Sequence, residues 1–227
     1  IGENKKWVPF AKGGEYSCYL SDIHLIILWE NNAQEIKDYV TAKYPYLNGE
    51  TGWILHPENS YYHSGITWTR RTSRNLSVRA LPEGTIFSDK GPSAFTPKDN
   101  KLGLSSLLAL MNSKPFMDLL SMQLGAADTA ARSYEVGLVQ QTPIPIITNN
   151  DQIILSELSL KCHNLALIPF VFEETTHVFC RPMLLSLSYN SLPEKVAYVA
   201  RHEANRQAQL TELQEQIDRR VAELYGL

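Results

Sequence analysis

The sequence predicts an α+β fold, with a mixed α/β unit over residues 1–150 and a helical segment over residues 151–227. Between Gly65 and Phe95, the stretches GITWT, LSVRAL and TIFSD carry alternating, β-branched or aromatic residues, separated by PEG and KGPS. This pattern predicts three strands joined by tight turns. After residue 150, DQIILSELSLKCHNLAL has the spacing of an amphipathic helix, and a long charged helix closes the chain.

The other predicted elements follow from local signals. They are a strand over 16–29, a short helix over 31–44, a turn over 48–53, a helix over 103–125 interrupted between Asn112 and Pro115, an extended stretch VGLVQQTPIPII, a helix capped by Asp151, and loops around Pro169, Pro182 and Pro193. Proline interrupts a helix and biases the residue before it towards extended backbone. An Asn or Asp at the start of an apolar periodic run is typical of a helix N-terminus.

The final helix carries one apolar stripe, which indicates a packed helix. Its members recur three or four positions apart: Leu210, Leu213, Ile217, Val221 and Leu224. Such a stripe predicts packing on another helix, within this chain or in a part of the parent protein outside it. A free-standing coiled coil is disfavoured because barely two heptads are present.

The composition favours a globular protein and argues against a secreted, disulfide-bonded one. The 227 residues are 44% hydrophobic and 20% charged, which is ordinary for a globular protein. No signal peptide is visible, and the three scattered cysteines, Cys18, Cys162 and Cys180, argue against a disulfide framework. A cytoplasmic location is therefore expected. Because the chain opens with Ile1 instead of Met, we expect it to be a piece of a longer protein.

Two patterns in the sequence contain the residue types that bind metal ions in proteins. Cys162-His163 and His177-x-x-Cys180 lack the spacing of a zinc finger, so buried structural thiols are favoured. Asp22 with Glu35 and Lys37 fits the loose Asp…Glu-x-Lys pattern of metal-dependent nucleases, in which two carboxylates hold Mg²⁺. That triplet is common by chance and falls in a predicted helix, so charges on a helix surface are favoured.

Positive charge is concentrated in one part of a mildly acidic chain. The net formal charge is −3, yet residues 66–101 contain seven Lys or Arg and three Asp or Glu. A positively charged segment in an otherwise negatively charged chain is typical of a site that binds an anion. The alternative is a solvated face of strands and loops.

Several stretches, in order along the chain, resemble one family. They are WVPFAKGGEY, NNAQEIKDY, YYHSGITWTRRTSRNLSVRALPEGTIFSDKGPSAF, LLALMNSKPFMDLL, VGLVQQTPIPI, FEETTHVFCRPML and QIDRRVAELYGL. Together they resemble the specificity region of PglX-type adenine-specific DNA methyltransferases from BREX phage-defence systems and of their type IIG restriction-modification relatives. The resemblance covers nearly the whole chain. It departs from the family at YSCYLSDIH and at Ala33-Gln34, where an aromatic-Tyr-Gly-Asn stretch and Gly-x are usual.

The resemblance implies a DNA target-recognition domain over residues 1–150 and a helical tail or spacer over residues 151–227. Its implied partners are double-stranded DNA, an upstream methyltransferase domain and other defence-system subunits, without a membrane. The sequence has neither the glycine-containing loop that binds S-adenosylmethionine nor the Asn-Pro-Pro-aromatic motif. Methyl transfer and its cofactor are therefore expected upstream of Ile1, with no cofactor and no catalytic residue in this chain.

The resemblance also implies which side chains meet DNA. They are Lys12, Tyr61, Tyr62, Arg70, Arg71, Arg74, Arg79, Lys90, Lys98 and Lys101. Arg70 is expected on the strand face of Trp68, Arg74 and Arg79 on backbone phosphates, and the lysines also on phosphates. Tyr61, Tyr62 and His63 are expected to be exposed loop aromatics that either line the same cleft or pack, while Trp68 is expected in the core.

Two other functions remain open from the sequence. One is a protein-interaction module that docks the methyltransferase to other defence subunits through its helical tail. The other is an independent nuclease or hydrolase that uses Glu35. DNA recognition for an N6-adenine methyltransferase is the favoured prediction.

Overall fold

The computed structural model describes residues 5–53, 55, 60–97, 100–124 and 131–227. The strands are β1 Trp7–Ala11, β2 Ile26–Leu28, β3 Gly65–Trp68, β4 Arg71–Thr72, β5 Val78–Leu81, β6 Ile86–Phe87, β7 Ser93–Ala94 and β8 Arg132–Ser133. The helices are α1 Glu30–Lys43, α2 Lys101–Met111, α3 Lys114–Met122, α4 Val136–Gln141, α5 Asn149–Phe172 and α6 Leu192–Tyr225. The predicted α+β class is confirmed.

Three small sheets organise the strands. The inner sheet has the order β5-β3-β7, with β3 antiparallel to both neighbours and Trp68 opposite Val78. A second sheet has the order β2-β1-β6, in which β1 runs antiparallel to β2 and parallel to β6. The outer ribbon is the antiparallel pair β4 and β8.

The strands predicted between Gly65 and Phe95 exist, although the third of them pairs differently. Ile86 and Phe87 of β6 join β1 and do not extend the inner sheet. Gly84, with a φ of 83°, lies in the turn before β6, where the chain leaves the inner sheet. The strand predicted over 16–29 is wrong in extent, because only Ile26–Leu28 is a strand and Tyr19 forms an isolated bridge with Arg79.

The helix predicted over 103–125 is broken where the sequence indicates. The Asn112 side chain accepts from the Val78 N–H at 2.9 Å and donates to the Val78 carbonyl at 2.8 Å, so it pairs with β5 as a strand would. The Ser113 hydroxyl then caps α3, with Pro115 in the first turn. The interruption thus joins the helices to the inner sheet.

Several helix boundaries differ from those predicted from local sequence signals. In α1, Asn31, Asn32 and Ala33 have left-handed backbone angles, so the regular helix begins after them. The stretch predicted as extended begins with the short helix α4, because proline restricts only the residue directly before it. Thr148 caps α5, and Asp151 completes the capping box from the third helical position. Two of the prolines expected in loops lie in helices, Pro169 inside α5 and Pro193 in the first turn of α6.

One hydrophobic cluster crosses the predicted domain boundary at residue 150. It contains Trp68 and Val78 of the inner sheet together with Leu155 of α5 and Ile217 and Val221 of α6. The apolar stripe on α6 therefore packs within this chain, mainly on α5 and α3. Division into domains at residue 150 stays a prediction.

A second, smaller cluster lies around the β2-β1-β6 sheet. Its buried members include Val8, Trp29, Tyr61, Ile86 and Phe87. Three of these buried members are aromatic, and the Trp29 and Tyr61 rings lie edge to face at 5.2 Å between centroids. This cluster anchors the first strand, whose end leads into the glycine pair Gly13-Gly14.

Helix α5 is, by length and composition, apolar enough to cross a membrane. In the structure it packs against α2 and α6, and Leu155, Leu158 and Cys162 lie in the first cluster. One face of α5 is therefore buried against the rest of the chain, while Ile153 and Leu160 on it are 45% and 57% exposed.

Candidate nucleic-acid interface

Three separate parts of the chain meet around Arg70 and Arg71. In the outer ribbon, Thr72 lies opposite Arg132, and Arg71 lies opposite Ser133. The Arg70 N–H donates to the Lys90 carbonyl at 3.1 Å, which holds the segment against the turn before Gly91. Arg132 was missed by the sequence reasoning, because only the strand pairing brings it to this place.

The glycine loop, Lys12-Gly13-Gly14, packs on the same turn. A Cβ on Gly13 would lie 2.7 Å from the Lys90 carbonyl oxygen, and one on Gly91 would lie 2.6 Å from the Gly13 nitrogen. The Thr69 hydroxyl donates to the Gly14 carbonyl at 2.9 Å. Because glycine alone fits these close approaches, the loop and the turn are held together.

These contacts connect the basic surface, defined as Lys12, Arg70, Arg71, Arg74, Lys90 and Arg132. Lys12, Arg71, Arg74 and Lys90 are exposed, and the Arg74 guanidinium lies over the Tyr16 ring at 5.6 Å. Arg132 donates to the Asn75 side chain at 2.6 Å. Arg71 and Lys12 form no ion pair with any residue that the structure describes, so both are available to an anion.

Carboxylates neutralise part of this surface. The Arg70 guanidinium contacts Asp89 at 2.8 Å and Glu135 at 3.5 Å, and the Lys90 ammonium lies 3.3 Å from Asp89. The expected sharing of a strand face by Arg70 and Trp68 does not arise, because β3 ends at Trp68. Trp68 itself is 2% exposed and donates to the Tyr134 carbonyl, which confirms its predicted place in the core.

Arg79 lies in the interior and not at the surface where a phosphate contact was expected. It is 1% exposed, since β5 has β3 on one side and the bridge to Tyr19 on the other. Its guanidinium donates to the Glu15 carbonyl at 3.1 Å and to the Thr69 hydroxyl at 2.9 Å. Burial lowers the pKa of this guanidinium. In the structure it supports the loop that carries Lys12.

The remaining predicted DNA-binding residues divide between interior and surface. Tyr61 is 4% exposed and packs on Trp29 and Phe87, which differs from the loop aromatic expected. Tyr62 is half-buried and His63 is exposed. Lys98 and the Lys101 side chain lie outside the described residues.

The metal and nuclease patterns do not assemble. Among the described residues, no group of three or more His, Cys, Asp or Glu side chains is placed to hold a metal ion. Asp22 contacts the His177 ring at 3.0 Å, while Glu35 is exposed on α1. All three cysteines are free, and burial raises the pKa of the Cys162 thiol to about 11.

Comparison with known proteins relates the chain to adenine-specific methyltransferases. It is 26% identical over 98% of its length to the adenine-specific methyltransferase BrxX of Escherichia coli O9:H4 (strain HS), of which it spans 17%. It is 32% identical over 53% of its length to the adenine-specific methyltransferase PglX of Lacticaseibacillus casei (strain Zhang), with 10% of that protein matched. No protein-family profile matches the chain. A relation to BREX-type methyltransferases follows from these similarities, and the chain spans less than a fifth of the relatives' length.

Proposed function

We propose that this chain is the DNA-recognition module of an N6-adenine DNA methyltransferase from a phage-defence or restriction-modification system. The observation that carries the proposal is the basic surface, which gathers cations from three distant chain segments in a protein of net charge −3. The relation to two adenine-specific methyltransferases supports it. Methyl transfer and S-adenosylmethionine binding belong, in this proposal, to the parent protein outside this chain, in the cytoplasm.

The contacts on the basic surface separate the expected DNA-binding residues by role. Lys12, Arg71 and Arg74 are exposed and form no ion pair with described residues, so they meet phosphates or base edges. Arg70 and Lys90 share the Asp89 carboxylate, which must be displaced before they bind DNA. Arg79 and Tyr61 act from the interior by supporting the fold.

Affinity is expected to depend strongly on salt. Each phosphate neutralised by a lysine or arginine releases counterions, which contributes a slope of about 0.9 in log K against log salt concentration. Three contacts from Lys12, Arg71 and Arg74 therefore predict weak binding with a slope of about 3 or less.

The test is fluorescence anisotropy of the 227-residue chain on a mixed-sequence duplex, at increasing salt. The variant Lys12→Ala/Arg71→Ala/Arg74→Ala should bind at least about tenfold more weakly at low salt, with a lower salt slope. The matched control is Lys161→Ala/Arg201→Ala/Arg219→Ala, which removes the same charges from exposed positions on α5 and α6. An equal loss in both variants, or no binding by the unmodified chain, would overturn the proposal.

A second function, docking of other defence-system subunits, is favoured by one observation. At the start of α6 and just before it, large apolar side chains are exposed: Leu185 at 72%, Leu192 at 63% and Val196 at 52%. No residue of α6 before Arg206 is buried. A pulldown with the other subunits of the same system should lose its partner in Leu185→Ser/Val196→Ser and keep it in the basic-surface variant. Capture unaffected by the apolar substitutions would exclude this site.

A further inference from the structure

The glycine loop presents backbone donors that have no acceptor among the described residues. Gly13 and Gly14 have φ angles of 87° and 148°, which side chains rarely adopt. No described atom accepts a hydrogen bond from the N–H groups of Gly13, Gly14 or Glu15. Gly14 and Glu15 are exposed, and Gly13 is half-buried. Successive backbone N–H groups in a turn are one of the arrangements by which proteins bind anions.

A buried positive charge lies directly beneath this loop. A Cβ on Gly14 would be 3.7 Å from the Nη2 atom of Arg79, so the guanidinium lies close to the backbone of this loop. Arg79 donates to two neutral oxygens and forms no ion pair with any described carboxylate. A buried charge without a counter-charge is costly, and a bound anion would lower that cost.

Other charged groups surround the loop. Lys12, next to Gly13, is exposed and free of ion pairs with described residues, and the Arg74 guanidinium lies over the ring of Tyr16, which follows Glu15 in the chain. Of the nearby acids, Asp89 is shared by Arg70 and Lys90. The Glu15 side chain is exposed, so it turns towards water at little cost.

We propose that the Gly13-Gly14 loop, with Arg79 beneath it and Lys12 beside it, is a binding site for one phosphate group. Backbone N–H groups provide directional hydrogen bonds, Lys12 provides a mobile ammonium, and Arg79 provides a fixed field from below. The inference deepens the proposed DNA recognition and rests on it only for the source of the phosphate. The same chemistry would accept a DNA backbone phosphate or free inorganic phosphate.

The test follows the amide signals of Gly13 and Gly14 in ¹⁵N-correlated NMR spectra of the whole chain. Inorganic phosphate is added first, against sodium chloride at the same ionic strength, and a mixed-sequence duplex is added afterwards. Saturable shifts of both glycine amides with phosphate, at the same residues as with duplex, are expected. Lys12→Ala should weaken phosphate binding at least threefold, while the control Lys161→Ala leaves it unchanged.

The outcomes separate this site from the wider proposal. If the duplex binds but the Gly13 and Gly14 amides do not move, the phosphate site is wrong and DNA recognition stands. If phosphate shifts both amides and no duplex binds, the site stands for free phosphate and DNA recognition fails. Equal effects of phosphate and chloride would overturn the site. Arg79→Met, provided that its spectrum is native-like, should lose the phosphate response.

Discussion

The inner sheet and the outer ribbon use the same residue type in opposite ways. In the inner sheet, Arg79 is 1% exposed and is held by two neutral oxygens. In the outer ribbon, eight positions earlier, Arg71 is exposed and has no ion pair among described residues. The two arginines belong to one charge-rich stretch, so a count of charges treats them alike.

The difference shows that strand neighbours decide what an arginine does. Strand β5 has a partner on each side and a hydrophobic cluster across its face, so its side chains are enclosed. The ribbon has only two strands of two residues each, so its side chains reach water. The side chains of the inner sheet therefore stabilise the fold, and those of the outer ribbon are accessible to a ligand.

The largest expected decrease in the free energy of unfolding comes from removing a core side chain of the inner sheet. Trp68→Ala should lower the free energy of unfolding by about 3–5 kcal/mol, because it leaves a cavity and removes the bond to the Tyr134 carbonyl. Trp7→Ala, at a side chain 52% exposed on β1, should cost less than about 1 kcal/mol. Urea denaturation followed by circular dichroism measures both. Similar costs for the two would mean that Trp68 is not enclosed.

The second largest difference in stability is expected between substitutions of Arg79 and Arg71. Arg79→Ala should cost about 2–3 kcal/mol, because it leaves the Glu15 carbonyl and the Thr69 hydroxyl without their donor. Arg71→Ala should change stability by less than about 0.5 kcal/mol. Thermal or urea unfolding of the pair is the measurement. A stability loss at Arg71 as large as that at Arg79 would remove the distinction between sheet and ribbon.

A third prediction extends the contrast to an ion pair between a buried arginine and an exposed carboxylate. Arg206, whose side chain is 8% exposed, contacts Glu203 at 2.5 Å and lowers the pKa of that carboxyl to about 2, from an ordinary 4.5. Because the folded-state pKa is depressed, its stabilising contribution is present above about pH 4.5 and is lost as pH falls towards 2. Glu203→Gln should flatten the fall of unfolding free energy in this window, whereas the exposed-site control Glu212→Gln should not.

The smallest effect is expected at Arg132, which the ribbon brings beside Thr72. Arg132→Ala should weaken duplex binding at low salt by about twofold to fivefold, since one phosphate contact contributes modestly. Its unfolding midpoint should stay close to that of the unmodified chain. Anisotropy titrations with Arg201→Ala as the control would show it. Equal affinities for both variants would place Arg132 outside the interface.

The helices were largely predictable from the sequence, and the candidate nucleic-acid interface was predictable only in part. The apolar stripe of α6 and the break at Asn112 are local signals, and the structure confirms both. The burial of Arg79 and Tyr61 and the arrival of Arg132 depend on contacts between distant segments. Alternation within one strand cannot show how many neighbours that strand will have.

The first hydrophobic cluster, which crosses residue 150, has a consequence for grafting this part of the chain between relatives. A graft of residues 1–150 alone would leave Trp68 and Val78 without Leu155, Ile217 and Val221, which complete their packing. The smallest portable unit is therefore the sheets together with α5 and α6. Under the proposed role in DNA recognition, finer changes of specificity belong in the outer ribbon, whose residues lie outside that cluster.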